Sequence, residues 1–133
     1  MSGTAKSITT SLTVLGSVQR MILEIDWTDD TNGTAMPVNI GTLGLTGWYL
    51  VQAKTIPGSP APTNGYNITL PTIDNEDLAL GLLASRSSSS VQRVAISSSN
   101  VTYPMMIDNF VFALAGNSVN GAKGIIKLIF SAN

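Results

Sequence analysis

The chain has 133 residues, with eight acidic side chains, seven basic ones, no histidine and no cysteine, and charged residues make up only 11% of it. That length fits one domain, residues 1–133; the missing cysteines exclude disulfides and thiolate metal sites, and the missing histidine excludes a Ser-His-Asp triad. The net charge is −1, with Lys6, Arg20, Lys54, Arg86, Arg93, Lys123 and Lys127 spread along the sequence and no long apolar span, so neither nucleic acid nor a membrane is expected as a partner.

Polarity is carried by Ser, Thr, Asn and Gly, which suits strands joined by turns. Ile8, Leu12 and Val14 lie on one face of a first strand, with Thr9, Ser11 and Thr13 opposite. In the second, Met21, Leu23, Ile25 and Trp27 alternate with Ile22, Glu24 and Asp26. Asp29 to Gly33 reads as a turn ending in Asn-Gly, followed by an extended stretch over 34–41. Three glycines, Gly41, Gly44 and Gly47, lead into a strand over 46–55, and the proline-rich run Pro57 to Pro62 cannot pair as one. Tyr66, Ile68 and Leu70 mark a short strand over 66–70.

Asp74 to Asp77 followed by Leu78–Ala84 resembles a helix start capped by Asp74, although Gly81 weakens such a helix by about 1 kcal/mol. A short helical turn leading into an extended strip fits equally well. The Ser85–Ser90 run then reads as a flexible or partner-ordered loop, and a strand is expected over 91–97. Stretches 105–114 and 124–131 are apolar on both faces, as in central or covered strands, and Asn117 to Gly121 separates them at hairpin distance. These elements predict an all-β fold: a single antiparallel β-sandwich, jelly-roll-like, of about eight strands with at most one short helix.

The chain carries no arrangement that points to catalysis, and an enzyme is not expected. Glu24, Asp26, Asp29 and Asp30 have the wrong spacing for a calcium loop. Asp74, Glu76 and Asp77 are explained by helix capping without a substrate. Trp27, Trp48, Tyr49, Tyr66 and Tyr103 read first as core aromatics and second as a sugar-stacking platform. No catalytic residue, metal ligand or cofactor is assigned.

From Gly65 onward a longer pattern emerges. Gly65-Tyr66-Asn67-Ile68-Thr69-Leu70 leads through an acidic turn to Asp77-Leu78, then Gly81 and Leu83-Ala84-Ser85-Arg86-Ser87-Ser88; Ala115-Gly116-Asn117 and the apolar Gly124–Phe130 close the chain. This C-terminal half resembles small β-rich virion proteins of tailed bacteriophages, of the decoration or cement kind, although Ala79-Leu80-Gly81 stands where those proteins favour a paired glycine. The resemblance implies a structural particle component made in the host cytoplasm and residing in the virion. Its expected partners are further copies of itself and the major capsid protein or another virion protein. Leu78, Leu80, Leu82, Leu83 and Arg86 are the candidate interface residues, with apolar surface on 105–114 or 124–131 as further candidates. A neck, tail or head-fibre component is an alternative. So is a carbohydrate-binding β-sandwich module, which would require Trp27 or Trp48 to be exposed beside polar groups.

Overall fold

A computed structural model describes residues 7–14, 20–29, 36–38, 47–72, 75–96, 105–106 and 109–131. Every regular element in these residues is a strand: β1 (Ser7–Val14), β2 (Arg20–Asp29), β3 (Met36–Val38), β4 (Trp48–Pro57), β5 (Asn67–Thr69), β6 (Gln92–Ala95), β7 (Met105–Met106), β8 (Phe110–Ala115) and β9 (Ala122–Ser131). All pairings are antiparallel. A six-stranded sheet runs β1-β2-β9-β4-β6, with β7 also on β4, and a three-stranded sheet runs β3-β8-β5.

The period-two alternation decides which side chains face inward. On β2, Leu23, Ile25 and Trp27 are buried; on β9, Ala122, Ile126, Leu128 and Phe130 are buried, and Leu23 stands opposite Leu128 and Ile25 opposite Ile126. On β4 a bulge between Leu50 and Gln52 inserts one residue, so the buried positions shift from Leu50 to Ala53 and Thr55. Phe110, Phe112 and Leu114 of the small sheet join the same core. Trp27 of the large sheet meets Phe112 of the small one at a ring-centroid distance of 6.0 Å, and Tyr66 at 5.9 Å.

The two doubly apolar stretches are central strands: β9 lies between β2 and β4, and β8 between β3 and β5. Two expectations about them fail. The stretch 105–114 is not one strand, because β7 pairs in the large sheet and β8 in the small one. Nor do β8 and β9 form a hairpin, since their connection crosses from one sheet to the other.

That crossing is held by Asn117. Its amide nitrogen donates to Asp29 Oδ2 (2.9 Å) and to the Val119 carbonyl, while its oxygen accepts from the Thr63 and Val119 N–H groups. A hairpin turn would need none of these long-range partners.

The helix expected after Asp74 is absent among the described residues, and Asp74 itself lies outside them. Residues 77–83 form two successive turns, with Leu80 N–H on the Asp77 carbonyl and Leu82 N–H on the Ala79 carbonyl. Leu80 at φ 54° and Gly81 at φ 74° are both left-handed, which ends any right-handed helix there.

Candidate interface surfaces

The strip singled out by the sequence is built around Asp77. Its Oδ1 accepts from the Leu70 N–H (2.9 Å) and the Ala79 N–H (3.0 Å), and its Oδ2 accepts from the Gly81 N–H (2.9 Å). The Leu78 N–H returns to the Leu70 carbonyl and the Ile68 N–H reaches the Leu83 carbonyl, so the turns lie along β5. This geometry drives Leu78, Ala79 and Leu83 into the core at 0–1% exposure. Leu78 and Leu83 are therefore core residues, with no side-chain surface left for a partner in this structure. Leu80 and Leu82 are half-buried and pack against that core.

Arg86 is half-buried as well. Its backbone forms a bridge with Tyr66, and its Nε donates to the Ala84 carbonyl at 3.2 Å. Burial pushes the Tyr66 phenol above its usual 10.0, and the nearby Arg86 charge partly offsets the rise.

The serine run is pinned by the chain itself. Asn67 Oδ1 accepts from Ser85 N–H, Asn64 Oδ1 from Ser88 N–H and Gln92 Oε1 from Ser87 N–H, while Ser87 Oγ accepts from the Ser89 and Ser90 N–H groups. No neighbour is required to order it. Just beyond it, Val91 is 55% exposed, the one large apolar side chain so exposed among the described residues.

Of the 105–114 and 124–131 candidates, Phe110, Phe112, Leu114, Ile126, Leu128 and Phe130 are likewise spent on the core. The outward face of the six-stranded sheet stays available, and the strand register lays it out in rows. One row runs Ile22–Ile129–Gln52–Ala95, the next Glu24–Lys127–Lys54–Arg93, and a third Asp26–Ile125–Ile56. Arg20 and Lys123 occupy outward positions of β2 and β9. Five of the seven basic residues thus share one face.

Glu24 and Lys127 form a loose pair at 3.7 Å with both side chains about one-third exposed, an arrangement worth at most about 1 kcal/mol. The Glu24 carboxyl is raised above 4.5, first by its hydrogen bond with Asp26, then by burial and the Asp26 charge, against the pull of Lys127. A hollow of about 350 Å³ opens beside this face, lined in part by Asp26, Trp27, Ser59 and Lys123.

The acidic cluster of the sequence does not converge. Glu24 and Asp26 face outward, whereas Asp29 is buried on the opposite side against Asn117, and Asp30 lies outside the described residues. Among the described residues no three acidic groups gather as a metal site would require. Glu76 is exposed, and the Asp77 carboxylate is occupied by backbone donors. Trp27 is buried and Trp48 and Tyr49 are half-buried, which leaves no exposed aromatic platform among the described residues; Tyr103 lies outside them.

The sequence carried a signal for the outward face. In β2 and β9, Arg20, Glu24, Asp26, Lys123 and Lys127 all occupy the parity opposite to the buried residues. The alignment of Lys54 and Arg93 with them follows from strand order, which no local pattern supplies. Comparison with protein-family models, with curated proteins and with solved structures found no match.

Proposed function

We propose that this chain is a structural component of a tailed-bacteriophage particle, a capsid decoration or cement protein that works as a homo-oligomer on the shell. In this reading the two sheets pack face to face as a jelly-roll-like β-sandwich, and the Trp27 contacts to Phe112 and Tyr66 supply the joint. The observation that carries the proposal is the unity of the residues behind the resemblance. Tyr66 bridges Arg86, Pro71 bridges Asp77, Asn67 pairs with Ala115, and Asp77 holds the turns onto β5, so the motif is one folded unit. Its residues set the fold and leave the outer surfaces to dock.

The work of such a protein is mechanical. Removing on the order of 1,000 Å² of apolar area at ~25 cal/mol per Å² gives a gross term far larger than a typical mutation, before the costs of association. The test is the mass of the purified protein in solution, followed by mixing with shells that lack it. A closed oligomer that binds the shells and raises their resistance to heat supports the reading. A monomer that ignores them overturns it, and directs attention to the neck, the tail or a head fibre.

A further inference from the structure

We infer that the outward face of the six-stranded sheet is a docking surface for an acidic, partly apolar surface of another protein. Lys127, Lys54 and Arg93 stand directly opposite one another on three adjacent strands, with Lys54 facing Lys127 on one side and Arg93 on the other. Neighbouring strands are about 4.8 Å apart, and like charges directly opposite are unfavourable within a sheet. Among the described residues only one end of the row is compensated, by Glu24 on Lys127. A partner's carboxylates placed over Lys54 and Arg93 would relieve that repulsion.

The face as a whole has a sign. Arg20, Lys54, Arg93, Lys123 and Lys127 less Glu24 and Asp26 give +3, and because the chain totals −1 the rest of it carries −4. Two such faces repel, so the occupant is not the same face of a second copy. Half-buried isoleucines flank the charged row, Ile22 and Ile129 on one side and Ile125 and Ile56 on the other. Apolar side chains on both flanks of a cationic row suit a protein surface better than a phosphate backbone, which offers no apolar counterpart. The inference stands whether or not the neighbour is a capsid shell.

The test uses the full chain and three probes: a random glutamate–tyrosine copolymer, poly-glutamate and a short duplex DNA. The copolymer is expected to bind at low ionic strength, more tightly than either other probe, and to weaken as salt is added. Arg93 is exposed, so Arg93→Glu leaves the fold intact by circular dichroism; it should weaken copolymer binding by roughly fivefold. Ala84→Glu combined with Ala115→Glu changes the net charge equally at exposed positions off the face and should have less than half that effect. Absence of copolymer binding, equal weakening by the two variants, or tighter binding of DNA would each overturn the inference. Equal affinity for poly-glutamate would overturn the part assigned to the isoleucines.

Discussion

Asp77→Ala removes the acceptor of three backbone N–H groups at once. Leu70 and Ala79 are both fully buried, so their N–H groups lose an acceptor, and the half-buried site left by the carboxylate rehydrates them only in part. Each costs about 1–3 kcal/mol when left unmade, whereas the Gly81 N–H lies on an exposed edge and rehydrates cheaply. The expected loss is about 3–4 kcal/mol, because neighbouring losses overlap. Asp77→Asn keeps one oxygen for Leu70 and Ala79 but turns an amide toward the Gly81 donor, and should cost about 1–1.5 kcal/mol. Urea titrations followed by far-UV circular dichroism measure both. If Asp77→Ala lies within about 0.5 kcal/mol of the parent, the range of an ordinary surface change, or if the asparagine variant is as damaged as the alanine one, the carboxylate does not hold these turns.

Three further changes probe the core and the outward face. Gly124→Ala places a Cβ against the Trp27 indole, 2.7 Å from Cε2; overpacking of this kind costs about 1–3 kcal/mol, and the penalty should shrink in a Trp27→Phe background when the double-mutant cycle is measured. Thr55→Val should raise stability by about 1 kcal/mol, because Thr55 Oγ1 is buried beside the Tyr66 phenol without a well-formed hydrogen bond; a loss of similar size would show that the Thr55–Tyr66 hydrogen bond is made. The raised Glu24 carboxyl makes the folded chain hold a proton that the unfolded chain releases near 4.5. That stabilisation is complete below 4.5 and is lost as pH rises through the higher folded value. Asp26→Asn removes the first cause of the shift, so its stability should fall less over that interval, as denaturant midpoints from pH 4 to 7 will show.

The strands were legible because each inward row obeys period two with little interruption: Leu23, Ile25 and Trp27 on β2, and Ile126, Leu128 and Phe130 on β9. Their central placement was legible too, since both faces of β8 and β9 are largely apolar. The turns after β5 were not. Asp74 and Asp77 are the same residue type in one acidic run, and only the return of the chain along Leu70 selects Asp77 as the acceptor. The sheet change between β8 and β9 was hidden for a similar reason. Asn117 to Gly121 has the length of a hairpin loop, yet its amide is directed by Asp29, 88 positions earlier. Leu78 and Leu83 look like free apolar surface in the sequence, and become core once those turns fold back.

The charge distribution joins these observations. At 11% charged residues the chain has few charges to place, and no local sequence pattern gathers its cations. Strand order instead sets five of seven on the face that also carries Ile22, Ile56, Ile125 and Ile129. An open apolar sheet face invites association with its own kind, and charge on such a surface is a recognised protection. Here the protection is lopsided: Glu24 and Asp26 sit on β2, while Lys54 and Arg93, on β4 and β6, face no carboxylate among the described residues. A face meant only for water would be better served by alternating signs across the strands. A face that repels its own copies yet keeps isoleucines beside a row of like charges is what the inferred docking of an anionic partner requires.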